Sequence, residues 1–549
     1  MQKAATLLKP LLVGLVILVV MQGCTSNQES EEVVVTGMRA SLMSSTSLKR
    51  IASPIESEGI GALPQVNQQE YRDDFENFDI NTVIQVSESP VSTFSADVDT
   101  TSYSFVRRRL NAGYLPEKAA VRLEEMVNYF DYDYAKPATA DEPFHASILV
   151  HNSPWANNRK LVHIGIQGFA INKQAQPNSN IVFLLDVSGS MNSPDKLPLV
   201  KQSMELLLSQ LKPDDTIAIV VYAGAAGTVL KPTKVKNKTD ILQAMNALQA
   251  GGSTAGGAGI QLAYQLAEQN YQADAVNRII LATDGDFNVG TSDHEQLKGF
   301  VERKRSKGIY LSILGFGQGN YHDHLMQTLA QNGNGIAAYI DTLSEAQKVL
   351  VHEATSSLFP IATDLKLQVE FNPATVKEYR LLGYETRALK REDFKNDKVD
   401  AGDIGSGHSV TAIYEIALTG SDGNLVDDLR YQKENATNKN GTNNIENELA
   451  FLKIRYKLPG ETESRLKAFP INKSEAARAD KSALQREANF AAAVAGFAQL
   501  LKNDKYLESW HYDDALKLAQ KNKGEDEYGY RTEFVQLVRK AKVAKGMEN

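Results

Sequence analysis

Between residues 177 and 358, short apolar runs alternate with stretches in which apolar residues recur every three or four positions. The runs over 181–185, 216–222, 279–283, 309–315 and 337–340 carry no charged residue. Runs of that length without charge suit strands covered on both faces, as in a parallel sheet. The intervening periodicity predicts helices over 198–211, 239–248, 257–270, 293–307, 322–331 and 344–356. Strand and helix in alternation predict an α/β unit built on a doubly wound, mostly parallel sheet.

Outside those limits the period changes. Residues 144–150 and 160–166 alternate apolar and polar, as half-buried antiparallel strands do, with Ser153 to Trp155 in the turn between them. Residues 365–371, 410–418 and 449–456 also read as strands. Neither 144–150 with 160–166 nor 365–371 with 410–418 makes a well-covered sheet alone, so these two sets are expected to pair, with the α/β unit inserted between them. A helix capped by Thr101 or Ser102 should carry Phe105, Val106 and Leu110, and a second should carry Val121, Leu123, Met126, Val127 and Phe130. Arg107, Arg108 and Arg109 read as a solvated face, and Asp97 and Asp99 as caps or turn residues. Near the end, Phe490, Val494, Phe497, Leu500 and Leu501 form one helical stripe, and Phe534, Leu537 and Val538 another. The chain thus divides into a leader (1–23), a polar tether (24–93), a helical and hairpin region (94–176), the α/β unit (177–358), a β-rich region (359–480) and a C-terminal helical region (481–549).

The chemistry sits where the first α/β strand stops. NIVFLLDVSGSM (180–191) runs an apolar strand into Asp186, then sets Ser188 and Ser190 at alternate positions. In open α/β sheets the C-terminal edge of the strands is where ligands bind. One carboxylate and two hydroxyls are hard oxygen donors, suited to Mg²⁺, Mn²⁺ or Ca²⁺ rather than zinc or copper. GGSTAGG (251–257) adds Thr254 in a glycine-rich loop, and IILATDGDFN (279–288) ends a second strand in Asp284. GGSTAGG lacks the lysine of a phosphate loop, and GFGQGN (315–320) misplaces the glycines of a dinucleotide fingerprint. Asp397, Asp400 and Asp403 do not have EF-hand spacing, and YHDH (321–324) suits a helix start.

DVSGSM, GGST and TDG, in this order, resemble the metal-ion-dependent adhesion site of von Willebrand factor A domains. Matched position by position, the resemblance implies metal ligation by Asp186, Ser188, Ser190, Thr254 and Asp284. It also implies the Rossmann-like A-domain fold. The order of a cysteine-ending leader, VDTTSYS, the SPW turn, the A domain, EYRLLGYETRAL and FKNDKVDAGDIGSGHSVTAIYEI is similar to bacterial YfbK-type A-domain lipoproteins.

Composition narrows the partners. At 549 residues the chain is too long for one core. A net charge of −8 argues against nucleic acid as the main partner. Lys3 and Lys9 precede the apolar stretch 11–21, which has the length of a signal-peptide core. Cys24 follows and is the only cysteine, so no internal disulfide can form. A lone cysteine there resembles the bacterial lipobox, although Met21 and Gln22 depart from its usual residues. The resemblance implies lipid on Cys24, and Thr25 after it implies the outer membrane. EEVVVTGMRAS (31–41) is similar to the start of the plug of TonB-dependent receptors, though a simple tether accounts for it as well.

These features lead to one expectation. A divalent ion held by only two carboxylates keeps an electrophilic open position, which favours an Asp or Glu side chain from a partner. The chain is expected to be a non-enzymatic, envelope-anchored binding module whose protein partner offers that carboxylate. The alternatives are a metal-dependent hydrolase, for which no His lies in the three ligand loops, and an envelope protein in which the metal only stiffens the loop edge.

Overall fold

The structure, a computed structural model, describes residues 75–547 apart from 97–98, 173, 255, 286–293, 318–321, 400, 428–446 and 474–480. All of these belong to the unit Gln68–Asn549. The leader with Cys24, the tether through residue 74, the stretch 31–41, Asp97, Asp286, Tyr321, Asp400 and most of the Asn-rich segment after Leu425 lie outside the described residues.

The chain opens with β1 (Ile84–Gln85) and β2 (Val91–Ser95), then α1 (Thr101–Asn111) and a short α2 (Leu123–Val127). A hairpin of β3 (Phe144–Asn152) and β4 (Arg159–Gly168) follows. The α/β unit begins with β5 (Asn178–Asp186), α3 (Leu197–Gln210), β6 (Thr216–Tyr222) and β7 (Ala226–Lys234). It continues through α4 (Lys238–Asn246), α5 (Gly256–Gln269), β8 (Ala275–Thr283), α6 (His294–Arg305) and β9 (Ile309–Phe316). It ends with α7 (Asp323–Asn332), β10 (Ala337–Ile340), α8 (Leu343–Gln347) and α9 (Ala354–Leu358). Next come β11 (Pro360–Phe371), β12 (Val376–Leu381), β13 (Gly402–Gly405), β14 (Ser409–Leu418), β15 (Glu448–Lys457) and β16 (Arg465–Asn472). Helices α10 (Lys481–Lys502), α11 (Tyr512–Asn522) and α12 (Tyr530–Met547) close the chain.

The central sheet has six strands in the order β10-β9-β8-β5-β6-β7, parallel except at β6–β7. Alternation along β5 explains its double cover. Ile181, Phe183 and Leu185 pack with Val200, Met204 and Leu207 of α3, while Val182 and Leu184 pack with Ile260, Ala263 and Tyr264 of α5. This is the doubly wound α/β sheet that the sequence predicts. Two details differ. The helix read over 344–356 is broken into α8 and α9 by a π-helical turn at Lys348–His352. Strand β7 was not foreseen, because this antiparallel edge strand contains Pro232 and two lysines and buries no side chain fully.

The α/β unit is inserted in a β-sandwich. Strand β4, before the unit, pairs with β14, after it, from Arg159↔Ala417 to Gln167↔Ser409. That sheet, β1-β12-β14-β4-β3, faces a second one in which β11 lies between β15 and either β13 or β2. Ile164, Ile166, Tyr414 and Ile416 share one core with Leu367, Val369, Leu452 and Ile454. The flanking strands therefore do join across the insertion, but residues 365–371 lie in the second sheet rather than beside the hairpin. Strand β1 and the first three residues of β2 fall within the stretch read as tether. Their pairing partners are β12 and β11, which lie close to three hundred residues further along, so nothing local marks them.

Helices α10 and α12 close over α1 and α2, with Phe490, Val494, Phe497 and Phe534 against Tyr103, Val106, Met126 and Phe130. The second predicted helix is shorter than its periodicity suggested, covering only Leu123–Val127. Helix α1 begins at Thr101 without a side-chain cap, and the Ser102 hydroxyl donates instead to Ala120 O at 2.6 Å. Asp99 is neither cap nor turn residue: it accepts from Ala337 N at 3.1 Å and pairs with Arg387 at 3.0 Å. The arginine run is no solvated face either. Arg107 is 2% exposed and pairs with Asp341, with Glu345 at 2.8 Å and with Glu533 at 3.2 Å. It joins α1, the end of β10, α8 and α12, and three carboxylates offset the cost of burying it. Among the described residues, no helix is long and apolar enough to cross a membrane.

Glu124 of α2 is buried, and its carboxyl is pushed up to about 7 by burial, by Glu385 and by Glu125. Between about pH 4.5 and 7 the folded chain therefore keeps a proton that the unfolded chain has lost, so stability should fall as pH rises through that window, by at most about 1.4 kcal/mol per pH unit for one such group. Glu353, pushed up to about 7 by burial, acts in the same direction. In urea unfolding measured across this range, Glu124→Gln is expected to flatten the slope in part and to be more stable than wild type at pH 8.

Candidate functional site

Strand β5 stops at Asp186, which is 0% exposed. Its carboxylate accepts from Ser188 N at 2.8 Å and from the Thr283 hydroxyl at 3.4 Å, with the buried Tyr222 side chain close by. The chain then turns, bringing Ser188 Oγ and Ser190 Oγ to 3.0 Å from each other. Backbone bonds pin this loop to its neighbours: Val187 N donates to Tyr222 O at 3.0 Å, Gly251 N to Val187 O at 2.7 Å and Gly189 N to Gly252 O at 3.0 Å. The last two bonds tie Gly251 and Gly252, which shortly precede half-buried Thr254, to the Asp186 loop. Asp284, also buried, follows the last residue of the adjacent strand β8. The structure thus brings Asp186, Ser188, Ser190 and Asp284 to the C-terminal edge of two neighbouring parallel strands, with the loop that leads to Thr254 bonded to it.

The charges there are unevenly matched. Asp284 Oδ2 accepts from Lys196 Nζ at 2.8 Å, with both side chains nearly out of solvent. The lysine stem lies over Gly317, where an added Cβ would come within 2.2 Å of Lys196 Cε, and Gly317 holds a φ of +78°. Only glycine satisfies both conditions. Asp186, by contrast, has no lysine or arginine within 4.0 Å among the described residues. Burial, and to a smaller extent the neighbouring Asp284, pushes its carboxyl up to about 6. A buried carboxylate served only by neutral donors carries an unrelieved desolvation cost.

Two carboxylates and three hydroxyls are the donor set of a hard divalent cation, and Asp186 lacks the positive charge that such an ion supplies. The residues therefore fit Mg²⁺, Mn²⁺ or Ca²⁺. Among the described residues, no cluster of three or more His, Cys, Asp or Glu side chains offers another metal site. Asp397, one of the aspartates of the excluded calcium loop, pairs with Arg455 at 3.1 Å. Sequence reasoning missed Lys196 and Tyr222. Neither stands at a motif position, and only the tertiary fold brings each to the edge.

Metal-free stability should separate the two aspartates. Asp284→Ala leaves Lys196 buried without its partner, which costs about 3–5 kcal/mol. Asp186→Ala removes an unmatched buried charge and should cost less than Asp284→Ala. Urea unfolding in EDTA is expected to rank the variants in that order, with Lys196→Met/Asp284→Leu recovering most of the loss.

Comparison with known proteins identifies the family. Family models for the von Willebrand factor type A domain match residues 180–352, for von Willebrand factor residues 69–163, and for the C-terminal part of uncharacterized protein YfbK residues 356–544. Uncharacterized protein YfbK of Escherichia coli (strain K12) is 44% identical over 470 residues, covering 84% of this chain and 80% of that protein. Inter-alpha-trypsin inhibitor heavy chain H4 of Homo sapiens is 28% identical over 215 residues, 37% of this chain and 23% of its own length. Among solved structures, a von Willebrand factor type A protein from Catenulispora acidiphila aligns with 72% of this chain and 89% of its own, at 16% identity and a TM-score of 0.37. The chain belongs to the YfbK family of bacterial proteins built around a von Willebrand factor type A domain.

Proposed function

We propose that the protein is a divalent-metal-dependent binding module of the bacterial cell envelope. It would hold a protein partner by an Asp or Glu carboxylate at the β5 edge. The observation that carries this reading is Asp186, buried and held by Ser188 N and the Thr283 hydroxyl, with no lysine or arginine beside it among the described residues. Von Willebrand factor type A domains are in general interaction modules rather than enzymes. In this reading Asp186, Ser188, Ser190, Thr254 and Asp284 hold Mg²⁺, or Mn²⁺ or Ca²⁺ in its place. Bound there, the ion supplies a positive charge able to accept a carboxylate ligand. Lys196 already offsets the charge of Asp284, so the protein's own groups balance only part of a divalent charge. The remainder favours an anionic group on the partner. Cys24 would carry lipid and hold the module at the outer membrane.

Calorimetry of the purified full-length protein with Mg²⁺ and then Mn²⁺ tests the site. Wild type is expected to bind and to gain about 2.7 kcal/mol at one hundred times Kd. Asp186→Ala should abolish uptake, and Ser188→Ala should weaken it less, because water replaces a neutral hydroxyl. Equal uptake by wild type and Asp186→Ala would refute the assignment. Cross-linking in intact cells should capture a partner with wild type and not with Asp186→Ala. Turnover of a peptide or phosphoester by wild type but not by Asp186→Ala would establish the hydrolase reading instead.

Anchoring is tested separately. Cys24→Ser is expected to abolish labelling by a fatty-acid probe and to release the chain from the membrane fraction. Unchanged labelling would show that Cys24 is not lipidated.

A further inference from the structure

Buried arginines in this fold follow one rule. Arg107, Arg122, Arg159, Arg380, Arg387 and Arg531 each have a carboxylate within 4.0 Å. Arg278 breaks it. It sits in the first half of β8, toward the sheet edge opposite Asp186, and is 2% exposed. Its guanidinium makes one hydrogen bond, from Nη1 to Ser312 Oγ at 2.6 Å, while its buried Nε has no acceptor among the described residues. Burial holds this group down at about 10, whereas Arg107 is raised by Tyr129, Glu345 and Asp341, and Arg122 by Asp323 and Glu125, against the effect of burial.

Arg278 also lines a cavity of about 240 Å³ between the α/β unit and the β-sandwich. Asn334, Asp99, Arg387, Asp403 and His408 share that lining. Asp99 is matched by Arg387 at 3.0 Å. Asp403 lies beyond ion-pair distance of Arg278 and accepts from Asp364 N at 3.2 Å. Among the described residues, one guanidinium charge therefore faces the cavity without a carboxylate in contact.

We propose that this cavity is a binding site for a small molecule carrying a single carboxylate, held by the guanidinium edge of Arg278. A planar guanidinium matches a carboxylate through two parallel N–H donors. A dianion such as phosphate suits the site less, because Asp99 and Asp403 line the same space. The bound carboxylate gives Arg278 the partner that every other buried arginine already has. Because the cavity wall comes from both the α/β unit and the sandwich, occupancy stabilises the seam between them. The site lies away from Asp186 and does not depend on the metal.

Thermal unfolding and calorimetry of the full-length protein in EDTA test this, with acetate and butyrate as probes, acetamide as the uncharged isostere and phosphate at matched ionic strength. Both carboxylates are expected to raise the melting temperature saturably, phosphate to act about tenfold more weakly or not at all, and acetamide to have no effect. Arg278→Met should lose the response and Arg278→Lys keep part of it. Ser312→Asp places a carboxylate on the guanidinium from within. It keeps the guanidinium paired, and should abolish the response even if Arg278→Met proves too unstable to purify. No response of wild type to either carboxylate would overturn the proposal. So would equal responses of wild type and Ser312→Asp, or equal responses to acetate and acetamide.

Discussion

The constraint on which the architecture turns is the burial of β5 on both faces. A strand that packs Ile181, Phe183 and Leu185 against one helical layer and Val182 and Leu184 against the other excludes water along its length. It nevertheless ends in a carboxylate. Asp186 is held by backbone and hydroxyl donors, which orient it without neutralising it. One strand away, Asp284 has been given Lys196. The edge is thus prepared for positive charge, and half of that requirement is met from within the chain.

The rest of the molecule keeps this edge in place. The α/β unit leaves the sandwich after β4 and returns at β11, while the ladder between β4 and β14 closes behind it. Buried ion pairs then fix the inserted unit to the helices. Arg107 joins α1 to Asp341, Glu345 and Glu533, and Arg122 reaches Asp323 on α7 at 2.7 Å. Such pairs add little net stability over an apolar contact, but they penalise any other arrangement heavily. Arg108 extends the connection toward the site, meeting Tyr339 and Gly317 O, and Gly317 is the residue on which the Lys196 stem rests. Helix α1 and the candidate metal edge therefore share a continuous set of contacts.

Much of this was legible in the sequence wherever the signal is local. Charge-free runs marked β5, β6, β8, β9 and β10, because a strand buried on both faces is mostly apolar along its middle, even where β5 ends in Asp186 and β8 carries Arg278. DVSGSM, GGST and TDG marked the loops that the fold gathers at one edge. What stayed hidden depends on distant partners. Strands β2 and β12 are short and take their hydrogen bonds from remote segments. Arg107 looked like a surface charge because its three carboxylates lie more than two hundred residues away. Lys196 and Arg278 carry no motif. One proved to be matched and the other unmatched only once their neighbours were in place.

The central claim is that the uncompensated charge of Asp186 recruits a divalent cation. The most direct measurement is an anomalous difference map from crystals of the protein soaked in Mn²⁺. The claim requires a peak bounded by Asp186, Ser188 and Ser190, absent from crystals of Asp186→Asn. A map with no peak there, with Lys196 still on Asp284 and manganese bound elsewhere, would contradict it.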